Sequence, residues 1–140
     1  MKNVTKAWWA VVGAAMLACA PMGVAVADSG KVIVSIYYVA PGKHVEFLKW
    51  AATQESMAKE AGVSAGQWYA HQDGDAWDYI GIRPDRTPEQ DTKVDEVAKK
   101  RGMKTGMAAG LLLRQYISRH TDTFALGPVS AAELVKQVTQ

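Results

Sequence analysis

The stretch that most constrains the fold of this chain is residues 64–82, SAGQWYAHQDGDAWDYIGI. Two runs rich in aromatic and β-branched residues flank Asp73-Gly74, and Asp-Gly between such runs predicts a β-hairpin. A sheet with one face in water alternates between apolar and polar residues. Here aromatic residues occupy both alternating positions, so we expect both faces of the sheet to be covered. The protein's own helices can cover one face, and the other then needs a partner subunit or a ligand.

The first 27 residues predict a secretory signal peptide. Two lysines are the only charges before Asp28, and residues 7–27 are uncharged and mostly apolar. Ala25-Val26-Ala27 matches the small-x-small pattern that precedes signal cleavage. Two alternatives remain open: an uncleaved membrane span, for which about 20 apolar residues suffice, and lipidation at Cys19. We expect cleavage after Ala27 and a periplasmic or secreted protein, with membrane contact only if cleavage fails.

Cleavage at this point changes the composition of the chain. It removes two of the 16 Lys and Arg residues, which leaves them equal in number to the 14 Asp and Glu residues, and it removes the only cysteine. A chain without cysteine has no disulfide, thiol nucleophile or thiolate metal site. A net charge near zero argues against nucleic acid as a partner. The remaining residues 28–140 have the length of a single domain.

Periodicity and breakers predict the regular elements. Residues 31–39, KVIVSIYYV, form a first strand that is largely apolar on both faces. Thr87-Pro88-Glu89-Gln90 carries two helix-start signals, a capping box and a proline at the first helical position. The other predicted elements are helices at residues 44–61, 88–101, 103–119 and 130–138 and a short strand at residues 120–126. Together with the hairpin, this order is βαββαβ, the α+β ferredoxin-like pattern with an antiparallel sheet, plus an extra short C-terminal helix.

With this order of elements, the chain resembles the dimeric α/β-barrel superfamily, small ferredoxin-like proteins whose sheets pair face to face in a dimer. The resemblance covers about residues 31–126 and rests on the element order, the first strand and the aromatic hairpin. The tail HTDTFALGPVSAAEL is also similar to the end of small uncharacterised exported members. Relatives include cofactor-free quinol monooxygenases, haem-degrading and haem-dependent enzymes, and members without known activity. The resemblance therefore implies a homodimer and leaves open whether the protein uses haem or no cofactor; fold likeness alone assigns no activity.

The hairpin holds the first set of candidate catalytic residues. A two-residue loop at Asp73-Gly74, the favoured interpretation, places His71, Tyr69 and Asp78 on one face of the sheet and the two hairpin tryptophans on the other. A three-residue loop at residues 73–75 moves Asp78 to the opposite face, because a slip of one residue turns the return strand over. His71 would act as a general base or a haem ligand. The candidate ligand-binding residues of the hairpin are Gln67, Trp68, Trp77 and Tyr79.

The segment that follows the helices holds a second candidate pair. Alternation in an extended chain places His120 and Asp122 on one face, within reach of one another, as an oriented His–carboxylate pair. His44, at a helix start, is expected to be exposed and without function. The three histidines lack the spacing of a metal motif, so we expect no metal.

These residues support hypotheses from different classes. The first is an exported small-molecule-binding protein, or a cofactor-free monooxygenase-like enzyme, acting on an apolar or aromatic ligand. The second is a non-catalytic interaction module whose aromatic sheet face, including Trp68 and Trp77, forms a dimer core. A third is a haem-binding member of the superfamily. A deep cavity lined by Tyr69, His71 and one of these tryptophans would favour the first hypothesis, and a solid interface there would favour the second.

Overall fold

The computed structural model describes residues 30–139, so the predicted signal peptide at residues 1–27 lies outside the described residues. The elements are β1 (Lys31–Val39), α1 (His44–Glu60), β2 (Gln67–Ala70), β3 (Tyr79–Pro84), α2 (Pro88–Lys100), α3 (Gly106–Leu113), β4 (Ile117–Leu126) and α4 (Ala131–Val138). The strands form an antiparallel sheet in the order β2-β3-β1-β4. This topology confirms the α+β ferredoxin-like fold predicted from the sequence, with the extra C-terminal helix.

Strand β1 lies inside the sheet and shows which face the helices cover. Three alternate residues of β1 are buried: Ser35, Tyr37 and Val39. Their side chains point towards α1, where the fully buried ring of Phe47 lies 5.0 Å from the ring of Tyr37. The alternate residues Val34 and Ile36 point the other way and are only half-buried. We call these two faces the helix side and the open side of the sheet.

The register of the hairpin differs from both predicted alternatives. Tyr69 pairs with Ile80 and Trp68 pairs with Gly81, so the connection spans residues 71–78 and is longer than a two- or three-residue loop. A two-residue loop would have placed Trp68 opposite Tyr79, and a three-residue loop opposite Ile80. The observed register places it opposite a glycine, where the indole has room; a Cβ on Gly81 would lie 3.2 Å from Cζ3 of Trp68. Packing of this one large ring therefore outweighs the local preference of Asp-Gly for a tight turn.

The helix ends follow local signals where these are strong. The Thr87 hydroxyl accepts a hydrogen bond from the backbone N–H of Gln90, whose side chain accepts one from the N–H of Thr87, as the capping box predicts. The same reciprocal cap opens α4 at Ser130 and Glu133. The helix predicted over residues 103–119 is wrong, because α3 occupies only its middle and β4 begins at Ile117, which pairs with Val39. Pairing with β1 extends β4 backwards into sequence that has helical periodicity.

The core of the described residues is divided into two clusters. One cluster lies between α1 and α2 and includes Met57, Ala58 and Val97. The other lies between α1 and the helix side of the sheet, around Tyr37 and Phe47, with Trp50 and Trp68 packed against it. An apolar core that is split in this way leaves space between its two parts.

Candidate functional site

A cavity of about 390 Å³ lies between the helix side of the sheet and α1. Its lining includes members of both core clusters, among them Ala58 from one and Tyr37 from the other, so it occupies the space between them. The rings of Trp50 and Trp68 form part of its wall. We call this space the helix-side cavity. Its volume falls in the range of small-molecule pockets, about 300–1,000 Å³.

A connected polar group forms the β4 end of the helix-side cavity. The Ser35 hydroxyl donates a hydrogen bond of 2.6 Å to Oδ1 of Asp122. The other carboxylate oxygen of Asp122 lies 3.6 Å from Nε2 of His120. The structure therefore brings together the His120–Asp122 pair that alternation in the sequence predicts, and both residues line the cavity. An imidazole beside a carboxylate can hold or transfer a proton near neutral pH.

Tyr37 connects this polar group to the aromatic wall. Its ring stacks on His120 at a centroid distance of 6.0 Å and on Trp68 at 5.6 Å. Burial raises the pKa of the Tyr37 hydroxyl above its ordinary value of 10.0, and a hydrogen bond with Ser35 opposes this shift. The hydroxyl is therefore neutral at physiological pH.

The other end of the helix-side cavity is basic. Arg83 and Arg86 both line it, at the end of β3 and in the loop before α2. Burial and the neighbouring charge of Arg83 lower the pKa of Arg86. Nη1 of Arg86 lies 3.9 Å from Oδ1 of Asp91, while Nε of Arg86 and Nε1 of Trp50 are buried without a hydrogen-bond partner. The lining of the helix-side cavity thus includes two residues with buried donors that the described part of the protein does not satisfy, and one of these donors belongs to Arg86.

The hairpin candidates lie elsewhere. His71 and Trp77 stand in the loop between β2 and β3, with their rings 4.9 Å apart. The backbone N–H of His71 donates to the carbonyl of Asp78, but Nε2 of its ring is buried without a partner. Neither ring lines either of the two main cavities. The predicted cluster of His71, Tyr69 and Asp78 does not form, because the wider loop takes the Asp78 side chain to the end of β1.

Asp78 instead belongs to a polar cluster at the end of the sheet. One of its carboxylate oxygens accepts a hydrogen bond of 2.6 Å from the backbone N–H of Val39, and the other lies 3.9 Å from Nε2 of His44. Nδ1 of His44 lies 3.4 Å from the Tyr79 hydroxyl. The sequence predicted an exposed His44, which is correct, but not its proximity to Asp78 and Tyr79. The Asp78 carboxylate here satisfies a backbone donor where β1 ends, which is a structural role.

A second cavity, of about 520 Å³, lies on the open side of the sheet. Val34, Ile82 and the half-exposed ring of Tyr69 line it, together with the segment around Leu126. Gln67 lines both cavities, since β2 is the edge strand between them. Trp68, which the sequence placed at a dimer or ligand face together with Trp77, lies on the helix side within the protein's own packing.

Residues 30–139 lack two further features. In this range no three His, Cys, Asp or Glu side chains are grouped closely enough to hold a metal ion. None of the helices in the same range combines the length and the apolar character needed to cross a membrane.

Sequence reasoning missed most residues of the helix-side cavity, among them Ser35, Trp50, Arg83 and Arg86. Ser35 had a detectable signal, because it is the one small polar residue in an otherwise apolar strand. Arg83 and Arg86 flank a proline-containing loop, where charge is ordinary and points to no site. Trp50 fits the apolar stripe of its helix and gave no sign that its indole N–H would lack a partner.

The fold and cavity together define a small ferredoxin-like α+β protein with an internal polar–aromatic pocket. Among solved structures, an uncharacterized NIPSNAP domain protein from Burkholderia xenovorans is 14% identical over 72% of this chain and 96% of its own, with a TM-score of 0.44. A protein from Agrobacterium tumefaciens is 9% identical over 72% of this chain and 95% of its own, with a TM-score of 0.49. A dimeric protein of unknown function and ferredoxin-like fold from Bacteroides fragilis is 14% identical over 70% of this chain and 97% of its own, with a TM-score of 0.38. The chain matches no protein-family model and no curated protein.

Proposed function

We propose that this protein binds a small, partly aromatic molecule in the helix-side cavity. The observation that carries the proposal is a cavity of about 390 Å³ whose wall combines the rings of Tyr37, Trp50 and Trp68 with the polar pair His120 and Asp122. Pockets for small molecules are built from apolar and aromatic walls with a few convergent polar groups. The hydrogen bond from Ser35 fixes the carboxylate of that pair, so the polar groups are held ready for a ligand.

Tryptophan fluorescence tests this proposal, because only some of the tryptophans within residues 30–139 line the cavity. Trp50 and Trp68 line the cavity, whereas Trp77 does not. A bound aromatic compound should quench or shift the fluorescence of the unmodified protein, and Trp77→Phe should keep this response. Trp50→Phe and Trp68→Phe should each lose part of it. A response that disappears only in Trp77→Phe would place the ligand at the hairpin loop and contradict the proposal.

Acid–base catalysis is a second candidate function. His120 and Asp122 form an oriented pair in the cavity wall beside the stacked ring of Tyr37, and proton transfer by a positioned side chain is a common catalytic device. Once a ligand is found, its chemical change in the presence of the protein would support catalysis. His120→Gln should then abolish turnover while changing affinity little. A ligand recovered unchanged after long incubation would leave binding as the function.

Haem, which the resemblance to the superfamily allows, is not supported by the position of the histidine suggested as its ligand. Haem iron needs an axial ligand, most often a histidine. His71, the residue suggested for this role, lies outside both cavities. Nε2 of His120 faces the Asp122 carboxylate. We therefore derive no step through haem.

A second copy of this chain is the proposed cover for the open side of the sheet. Val34, Ile36 and Ile82 on this side are only half-buried, although they belong to the central strands. In a two-fold dimer these apolar side chains would pack against the same side chains of the second copy, and their mutual burial would stabilise the dimer.

Light scattering on Ile36→Asp tests this arrangement. The unmodified protein should be a dimer, and a charge introduced at the centre of the contact should shift it to monomer, since an unpaired buried charge is strongly unfavourable. Val45→Asp is the matched control, because Val45 is 61% exposed on α1, away from the sheet face. A monomeric unmodified protein at micromolar concentration would contradict the proposed dimer.

A further inference from the structure

The basic end of the helix-side cavity carries two guanidinium groups close enough to influence one another. Within residues 30–139, Asp91 is the one carboxylate in ion-pair range of either group, at 3.9 Å from Arg86. The Asp91 side chain is itself 64% exposed, so its charge is largely screened by water. Arg83 makes no ion pair with any described residue. The two guanidinium groups thus have one exposed carboxylate within ion-pair range, and a bound anion would add a closer counter-charge.

The hydrogen-bonding inventory of the cavity lining points the same way. Nε of Arg86 and Nε1 of Trp50 are both buried and both without a partner. Buried donors are normally satisfied, and each exception calls for an explanation such as an absent ligand. Both groups donate and cannot accept. The missing partner is therefore an acceptor, and beside two guanidinium groups a carboxylate is the acceptor that suits best.

Acidic side chains elsewhere in the lining do not supply this partner. Asp122 at the far end is occupied by Ser35 and His120. Glu55 and Asp85 also line the cavity, but neither lies within ion-pair range of Arg83 or Arg86.

The geometry points to a small aromatic carboxylate as the ligand class, with the carboxylate between Arg83 and Arg86 and the ring against Trp68. This inference rests on the proposed function, because it concerns the same cavity. The spacing is consistent with one molecule: β3 carries both Gly81, on which Trp68 packs, and Arg83, two residues further along the same face.

A pair of ligands that differ only in charge tests the inference. We would titrate the purified protein with 2-naphthoate and with its neutral amide, 2-naphthamide, and follow tryptophan fluorescence at neutral pH. The carboxylate should bind at least about tenfold more tightly, since charge-assisted bonds to arginine are among the strong polar contacts. Arg83→Gln and Arg86→Gln should each reduce this preference to about threefold or less. Arg114→Gln is the control, because Arg114 is an exposed arginine at the end of α3 that does not line the cavity.

The outcomes separate this inference from the proposed function. Equal affinity for the two naphthalene compounds, or a preference for the amide, would overturn the carboxylate and leave the aromatic pocket standing. A preference that Arg114→Gln reduces as much as Arg86→Gln would show attraction by overall charge and also overturn it. Failure of both compounds and of neutral aromatic alcohols to bind would contradict the proposed function itself. Affinity for 2-naphthamide in each variant shows whether its pocket is still folded.

Discussion

Replacing Gly66 with alanine should destabilise the protein through a contact that the fold cannot relax. A Cβ at this position would lie 2.8 Å from the carbonyl oxygen of Ile82 and 3.2 Å from Cβ of Arg83. The oxygen belongs to the backbone of β3, which is paired with both β1 and β2, so it cannot move alone. Overpacking of this kind costs about 1–3 kcal/mol. The φ angle of Gly66 is not positive, so alanine also gains about 0.5–1 kcal/mol from a less flexible unfolded chain. The net loss should therefore be about 1 kcal/mol, within a range of about 0–2.5 kcal/mol.

Gly110→Ala is the matched control for this substitution. Gly110 lies in α3, its φ is not positive, and a Cβ there would meet no atom within 4 Å. Alanine should stabilise the protein by about 0.5–1 kcal/mol, because glycine inside a helix is unfavourable. Urea unfolding followed by circular dichroism measures both changes, and the two variants should shift the midpoint in opposite directions. A Gly66→Ala variant that is more stable than the unmodified protein, as Gly110→Ala should be, would refute the close approach of residue 66 to β3, and with it the register of β2.

Two further predictions concern a buried hydroxyl and the chain start. Burial raises the pKa of the Tyr37 hydroxyl in the folded protein above 10.0. The stabilisation that comes from burying the neutral hydroxyl is therefore complete below about pH 10 and is lost as the pH rises through the folded-state pKa. Above pH 10, the free energy of unfolding of Tyr37→Phe should therefore fall less steeply with pH than that of the unmodified protein, as measured by urea unfolding at a series of alkaline pH values. Identical slopes for the two proteins would contradict the raised pKa of Tyr37. Intact-mass analysis of the protein from its native host should find a chain that begins at Asp28 outside the cytoplasm; a retained Met1 in the membrane fraction would support an uncleaved anchor, and a lipid mass on Cys19 would support lipidation.

The parts of the fold that the sequence predicts well are those determined by neighbouring residues. The predicted bounds of β1 match the structure, and the capping box at Thr87 opens α2 where its pattern predicts. Apolar periodicity and caps act over a few residues, so a single sequence contains the whole signal. The hairpin shows the limit of this reasoning. Its register depends on how Trp68 packs against Gly81 and on the pairing of β3 with β1, which are contacts that local turn chemistry does not contain.

The candidate site shows the same division between local and distant information. His120 and Asp122 are two residues apart on one strand, and alternation alone places them on one face. Arg86 lines the cavity from a loop and Trp50 lines it from a helix. The two residues are 36 positions apart in the sequence, so no spacing rule connects them. His71 was favoured because it stands among aromatic residues in the sequence. The structure places it in a loop outside both cavities. The predicted hairpin register was wrong, because the observed connection between β2 and β3 is longer than either predicted loop.

Small residues on facing elements explain why the helix-side cavity exists. Ala51 and Ala58 line it from α1, and Gly66 and Gly81 line it from the strand side. Larger side chains at these four positions would close the space, as the short distances from a Cβ at Gly81 to Trp68 show. Unfilled space beside a core forfeits dispersion contacts that close packing would provide. A ligand that binds only the folded chain restores such contacts and stabilises it by about 2.7 kcal/mol at 100 times its Kd. Ligand binding in this cavity should therefore also raise the thermal stability of the protein.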